Sequence, residues 1–146
     1  MWKTINNESE LKDFMQLMCN FHDSCIKEMR YLSGAYVQEN LSMYPYNNER
    51  ALKVIIQRQE RNPCSIEMEF TGLLKMNLFL EDSDDYTCEI IGATMIFARD
   101  RIYWCDDTDL SEADMERYKG TLICSKSVRW RETDKYIGKE EVYVSI

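Results

Sequence analysis

The sequence is poor in the residues that build phosphate loops, metal centres and membrane spans. It has five glycines, two prolines and one histidine among 146 residues. Five glycines leave little room for a glycine-rich phosphate-binding loop, and no apolar run approaches the roughly 18 residues that cross a membrane. The N-terminal residues run directly into the charged stretch 7–13, without the apolar segment of a secretory signal. These absences predict a cytoplasmic protein without a membrane anchor.

The cysteine content is low for a disulfide-stabilised domain. Six cysteines are about 4% of the chain, whereas disulfide scaffolds carry roughly 8–10%. Because the cytosol keeps thiols reduced, we predict that the cysteines act as small buried hydrophobic residues. They are Cys19, Cys25, Cys64, Cys88, Cys105 and Cys124.

Two segments resemble metal-binding motifs but are incomplete. Cys19, His22 and Cys25 have the spacing of metal ligands, but a structural zinc site needs a fourth ligand, and the sequence has no second histidine and no Cys-x-x-Cys pair. The acidic stretch 106–112 begins like a calcium loop but lacks the glycine and the closing glutamate of an EF-hand. We therefore predict no metal site and no cofactor.

Basic residues are outnumbered by acidic ones. The chain has 18 lysines and arginines against 26 aspartates and glutamates, a net charge of −8. Such a surface repels phosphate backbones and anionic lipids, so neither nucleic acid nor a membrane is an expected partner. It attracts basic proteins, although the same charge also serves solubility alone. The candidate partner-binding residues lie in two segments: Glu81, Asp82, Asp84, Asp85, Asp106, Asp107 and Asp109.

The composition is that of one folded domain. Apolar residues make up 45% of the chain and aromatic residues 12%. Folding at this length buries roughly 68–70% of the surface that the unfolded chain exposes, which is enough for one core. No repeat, linker or low-complexity tract divides the sequence, so we predict a single domain over residues 1–146.

An N-terminal helix is predicted over residues 8–18. Asn7 can cap its first turn, with Glu10 three residues further on. Four apolar residues recur at helical spacing and form one stripe for the core: Leu11, Phe14, Met15 and Met18.

The segment after Pro63 has the clearest pattern in the chain, because it alternates with period two over about sixteen residues. Its inward-facing positions are Ile66, Met68, Phe70, Gly72, Leu74, Met76, Leu78 and Leu80. Since this is about three times the usual strand length, we predict a bend or bulge at Gly72, or two consecutive strands.

Other strands are predicted on the N-terminal side of that segment and beyond it. Residues 21–37 fit both periods, and we favour a strand that ends near Ser33 and Gly34. Residues 41–50 are interpreted as a loop, and residues 52–56 as a half-buried strand. Residues 90–97 are apolar on both sides and predict a central strand covered on both faces.

The C-terminal half continues with a hairpin, a loop and two strands. Arg99 and Asp100 form the predicted turn into a strand over 102–105. Residues 106–120 are a polar excursion with one helical turn from Ser111. Residues 141–146 are predicted to add an edge strand. Between the polar excursion and this edge strand we predict one more strand, with one face made of Leu122, Cys124, Val128 and Trp130.

The sequence lacks the helices of ten to fifteen residues that parallel crossovers need, so the sheet is expected to be antiparallel. We predict an α+β domain. It consists mainly of an antiparallel β meander of about six or seven strands, built as a curved sheet or partly open barrel, with a short N-terminal helix.

Two pairs of charged residues share strand faces. Glu67 and Glu69 place their carboxylates about 7 Å apart, which overlaps the spacing of acid and base in inverting glycosidases. Arg129 and Arg131 are spaced in the same way. Cross-strand pairing of the glutamates with the arginines on a solvated face explains both pairs without catalysis, and we favour this interpretation.

A ligand pocket is the alternative use of such groups. Histidine is the residue type that titrates nearest neutral pH, and His22 precedes a carboxylate, Asp23, although no nucleophilic serine or cysteine motif accompanies it. A curved sheet can collect a few polar groups into a pocket. No catalytic residue is assigned. The candidate ligand-binding residues are His22, Asp23, Glu67, Glu69, Trp104 and Arg131.

Three segments resemble a family of uncharacterised small bacterial proteins: Phe21-His22-Asp23-Ser24, Ile66-Glu67-Met68-Glu69-Phe70 and Ile102-Tyr103-Trp104. They are more remotely similar to immunity proteins of polymorphic toxin systems that carry a similar Phe-His-Asp segment. The likeness spans about residues 21–131. It implies a cytoplasmic binding protein rather than an enzyme, and an immunity role would set the acidic surface against a basic toxin.

Two hypotheses about function therefore stand side by side. The first is a non-catalytic interaction protein, of the immunity type, that contacts a basic partner through the acidic segments 81–85 and 106–114. The second is a small-ligand-binding protein or enzyme with a pocket on a curved sheet.

Overall fold

The computed structural model describes residues 1–46, 49–80 and 88–144. Within these ranges the chain forms two helices, one 3₁₀ turn and ten strands, of which six have five residues or more. The helices are Glu8–Leu17 (α1) and Glu112–Met115 (α2), and the 3₁₀ turn is Cys19–Phe21. The strands are Lys3–Thr4 (β1), Ser24–Leu32 (β2), Tyr36–Val37 (β3), Met43–Tyr44 (β4), Ala51–Arg58 (β5), Ser65–Asn77 (β6), Glu89–Ile90 (β7), Thr94–Ala98 (β8), Arg101–Cys105 (β9) and Leu122–Glu132 (β10).

Eight of these strands form one antiparallel sheet that curls into a half-barrel. Their order is β7-β2-β5-β6-β10-β9-β8, and β1 pairs with the C-terminal half of β10. Two meanders, β2-β5-β6 and β8-β9-β10, meet where β6 pairs with β10. The short strands β3 and β4 form a separate hairpin. The predicted α+β architecture with a curved antiparallel sheet is confirmed.

Helix α1 packs against one face of this sheet, as its apolar stripe predicts. The Asn7 side chain accepts a hydrogen bond of 2.9 Å from the backbone N–H of Glu10 and caps the first turn. The Glu10 carboxylate in turn accepts from the N–H of Asn6 at 2.7 Å. Leu11 and Phe14 are buried against the sheet. The predicted helix and its cap are confirmed.

The main core lies between α1 and the sheet, on a side that we call the core face. Phe14 lies 4.9 Å from the ring of Trp130 and 5.7 Å from that of Phe21, and Phe21 meets Trp104 edge-on at 5.8 Å. Such offset and edge contacts between aromatic rings add to the hydrophobic effect. We call the opposite side of β2, β5, β6 and β10 the outer face.

A bulge two residues after Gly72 interrupts β6, close to the position that the length of the alternating segment predicts. Gly72 has φ +62°, in the left-handed region that side chains with a Cβ disfavour. Leu73 lies opposite Ser125 and Lys75 opposite Cys124, so β6 carries one extra residue, Leu74. Beyond the bulge the predicted inward positions are wrong, because Leu74 packs into a second cluster and three others are exposed: Met76, Leu78 and Leu80.

A second, smaller core lies across the sheet from the first, beneath α2. It is built around Cys105, Met115, Leu122 and Cys124. The predicted common face of β10 is therefore wrong. The alternation changes phase beside the bulge, so that Leu122 and Cys124 enter the second core while the later residues of β10 enter the main one.

The hairpin β8-β9 turns at Arg99 and Asp100, as predicted. Its first strand is not central, however, because β8 is the edge of the sheet. In this hairpin it is the second strand, β9, that is covered on both faces, since its residues from Ile102 to Cys105 are all buried. The apolar run that suggested a central strand includes Ile91, which is exposed.

Some of the remaining local predictions are confirmed and others are wrong. The ambiguous segment forms β2, residues 52–56 lie in β5, and Ser111 caps α2. The predicted loop over 41–50 contains β4, and its residues 47–48 lie outside the described ranges. Residues 141–144 form no strand, and residues 145–146 also lie outside.

The prediction that the cysteines are buried is wrong for four of the six. Cys105 and Cys124 are buried, Cys25 and Cys64 are half-buried, and two are exposed: Cys19 and Cys88. None forms a disulfide bond. Only the two in the second core serve as the small buried hydrophobic residues that we predicted.

We predict that Gly72→Ala lowers the free energy of unfolding by about 1–2 kcal/mol, because an L-residue is strained in the left-handed region. The new Cβ would also lie 3.0 Å from the Cβ of Lys126. Urea denaturation measures the loss. Gly72→Asn is the matched variant, and it should cost less because asparagine adopts this conformation more readily. Unchanged stability of Gly72→Ala would contradict the left-handed conformation at this position.

Candidate functional site

The outer face carries the two glutamates that the sequence singled out, each paired with an arginine. Register places Glu67 opposite Arg131 and Glu69 opposite Arg129. Arg131 donates to one oxygen of Glu67 from Nη2 at 2.6 Å and from Nε at 2.9 Å. Arg129 donates to Glu69 at 2.9 and 3.1 Å. The expected cross-strand pairing is confirmed.

This face is covered, however, where we expected it to be solvated. Trp2 lies over both arginines, with its ring 4.5 Å from the guanidinium carbon of Arg129 and 4.7 Å from that of Arg131. The Glu67 side chain retains only 4% exposure and that of Glu69 only 9%. A carboxylate at that depth needs a charged partner, because desolvation disfavours an isolated ion.

The chain's C-terminal segment, residues 133–144, forms the rest of this cover, and we call it the C-terminal strap. Glu28 accepts hydrogen bonds from the backbone N–H of Val142 at 2.6 Å and of Tyr143 at 3.3 Å. The Tyr143 hydroxyl donates to the second oxygen of Glu67 at 3.1 Å. The Gln57 side-chain amide donates to the carbonyls of Tyr136 and Gly138, earlier in the strap. Sheet side chains thus hold the strap largely through its backbone.

The electrostatics of this cluster are those of a structural network. Burial, followed by the charge of Glu67 and the hydrogen bond to it, raises the pKa of the Tyr143 hydroxyl. The hydrogen bond to Glu67 raises the pKa of Arg131. Both oxygens of Glu67 are engaged, one by the arginine and the other by the tyrosine. This arrangement fastens strands and strap together, and it presents no unengaged carboxylate oxygen of Glu67 to a ligand.

The six candidate ligand-binding residues do not come together. Glu67, Glu69 and Arg131 are on the outer face, whereas Trp104 is buried in the main core. His22 and Asp23 lie in the connection between the 3₁₀ turn and β2, where they form an exposed pair of 2.9 Å between Nδ1 and Oδ2. The three locations do not form one pocket.

The acidic residues that we expected to bind a partner fall into two groups. Glu81, Asp82, Asp84 and Asp85 lie outside the described residues. The other group is in the loop after β9. Asp106 accepts hydrogen bonds from the Tyr118 hydroxyl and the backbone N–H of Thr121, which fix its carboxylate. Asp107 and Asp109 are exposed.

A depression of about 460 Å³ adjoins Asp106 and Asp107. Three of its lining residues are acidic, these two and Glu89, and one is basic, Lys119. Its apolar lining includes Ile91 and Phe79, whose exposed fractions are 74% and 51%. We call these lining residues the acidic-apolar surface: Phe79, Glu89, Ile91, Gly92, Asp106, Asp107, Thr108, Tyr118, Lys119 and Gly120.

The sequence interpretation missed the apolar part of this surface. Phe79 interrupts the alternating pattern of the segment after Pro63, and Ile91 lies in the predicted central strand over residues 90–97. The period of an apolar run indicates a strand but does not show which of its residues a distant segment covers, so the sequence carried no signal for this exposure.

Comparison with protein-family models, curated proteins and solved structures finds no match for this chain. The resemblance to bacterial immunity proteins therefore stays a prediction. No helix within the described residues has the length and apolarity needed to cross a membrane. In the same part of the chain, no three histidine, cysteine or acidic side chains cluster in a way that suits a metal ion.

We predict that Glu67→Gln lowers the free energy of unfolding by about 2 kcal/mol, because it removes one charge of a largely buried ion pair. Chemical denaturation measures the change. Glu132→Gln is the control, since the pair of Glu132 with Lys3 is exposed on both sides and contributes about 0.5 kcal/mol or less. Equal losses for the two variants would show that the Glu67 pair has no special structural role.

Tyr143 makes the free energy of unfolding depend on pH in the alkaline range. In the unfolded chain a tyrosine ionises near pH ~10. The raised pKa in the folded state means that the stabilisation is complete below that pH and decreases as pH rises above it. We expect Tyr143→Phe to show a shallower loss of stability between pH ~10 and ~11 in urea titrations. Tyr31→Phe, at an exposed tyrosine, should retain the wild-type slope.

Proposed function

We propose that this protein is a non-catalytic interaction protein that binds a basic protein partner through the acidic-apolar surface. The observation that carries the proposal is the exposure of Ile91 and Phe79 on the same depression as Asp106 and Asp107. Exposed apolar side chains that are bordered by polar residues often mark an interaction site, because a partner can bury them.

The two components of the surface have different roles in binding. Ile91 supplies apolar area that a partner can bury, which stabilises the complex. The carboxylates of Glu89, Asp106 and Asp107 attract lysine and arginine side chains and speed up association with a positive surface. Because Tyr118 and Thr121 fix the Asp106 carboxylate, this part of the surface needs little ordering when a partner binds.

The network on the outer face supports a binding protein over an enzyme. Its glutamates, the residues best spaced for acid and base catalysis, are engaged by Arg129, Arg131 and Tyr143. An immunity role fits the proposal, since neutralising a basic toxin requires an acidic surface and no chemistry. That role remains a hypothesis that identification of the partner tests directly.

We expect affinity capture at low salt to retain a basic protein from host lysate, identified by mass spectrometry. With that protein purified, Ile91→Ser and Asp107→Asn should each weaken binding about tenfold, or 1.4 kcal/mol. Ile91→Ser removes the apolar anchor, and Asp107→Asn removes one charge without changing shape. Rising salt should weaken the wild type more than Asp107→Asn, because exposed charges are screened.

The controls alter comparable side chains, one apolar and one acidic, on the β3-β4 hairpin. Leu41→Ser removes an apolar side chain that is 82% exposed, and Glu39→Gln removes an exposed carboxylate. Both should bind like the wild type. If the captured protein is not basic, or if Ile91→Ser and Asp107→Asn bind it as the controls do, the proposed surface is wrong.

A further inference from the structure

A second depression of about 460 Å³ lies where β2 and β7 begin, and two cysteines line it. Cys25 is in β2, directly opposite Glu89 of β7, and Cys88 is the residue before Glu89. Cys88 lies in the turn that leads into β7, outside the regular ladder, so the pleat of the strand does not fix the direction of its side chain. Both cysteines line the same depression, which brings their thiols within reach of one another.

The two thiols differ in their access to solvent. Cys88 is exposed, whereas Cys25 is half-buried. Burial raises the pKa of the Cys25 thiol, and the neighbouring Cys88 raises it further, as expected for two sulfur atoms that share one site. Cys88 is thus the more accessible nucleophile, and Cys25 is placed to react after it.

We propose that Cys25 and Cys88 form a reversible disulfide bond when the protein meets a small disulfide oxidant such as oxidised glutathione. The Cys88 thiolate attacks one glutathione sulfur, which forms a mixed disulfide and releases the first glutathione thiolate. The Cys25 thiolate then attacks the Cys88 sulfur, forms the intrachain bond and expels the second glutathione thiolate. The protons of the two cysteines end on two molecules of reduced glutathione.

The location gives this bond a structural consequence. It would tie the residue before β7 to β2, at a strand pair with only two registered positions. Glu89, the next residue, lines this depression and the acidic-apolar surface alike. The disulfide itself does not depend on the proposed function, because its formation is measured on the protein alone.

The test treats the folded protein with oxidised glutathione, blocks the remaining thiols, digests without reduction and analyses the peptides by mass spectrometry. We expect a crosslink between the peptides that contain Cys25 and Cys88, with recovery of both thiols on reduction. Since Cys19 lies on the same tryptic peptide as Cys25, Cys19→Ser is the matched control and should retain the full crosslink.

Cys25→Ser gives a second readout that does not depend on the crosslink. Without the resolving thiol, the glutathione adduct on Cys88 should accumulate, whereas in the wild type it should be replaced by the intrachain bond. A stable glutathione adduct on Cys88 of the wild type would overturn the proposal. A crosslink that persists in Cys25→Ser and is lost in Cys19→Ser would do so as well.

Discussion

The ion pairs between β6 and β10 are the interaction on which the rest of this structure depends. They lie at the junction of the two meanders, where strands far apart in sequence meet. The pair of hydrogen bonds from Arg131 to one oxygen of Glu67 fixes register at that junction, since a slip of one residue would turn every side chain to the other face. The same glutamate holds Tyr143 and so fastens the C-terminal strap to the outer face.

The bulge near Gly72 determines how the long strands serve two cores. Before it, alternate residues of β6 face α1, and beside it the alternation of both β6 and β10 changes phase. The sheet is therefore covered on both faces at this end, by α1 on one side and by the α2 segment on the other. Gly72 lies two residues before the extra residue Leu74 and has the left-handed backbone that glycine adopts at the lowest cost.

The surfaces proposed to interact with other molecules lie away from this scaffold, on the connections around β7. Loops there carry exposed carboxylates, exposed apolar side chains and the exposed thiol of Cys88. Binding residues are commonly placed on loops that a rigid sheet positions, because strand side chains are already used in packing. The outer-face glutamates of this protein are an example of such strand side chains, since Arg129, Arg131 and Tyr143 already engage them.

The sequence by itself determined the features that follow from local periodicity and spacing. The stripe of α1, the Asn7 cap, the alternation of β6, the bulge near Gly72 and the pairing of Glu67 and Glu69 with two arginines were all predictable. Each depends on residues close in sequence or on matched spacing along two strands. Tertiary structure alone decided that β8 is an edge, that the strap covers the outer face and that Ile91 is exposed. These outcomes depend on which distant segments meet, and the period of a segment indicates that one face is buried without showing which other segment covers it.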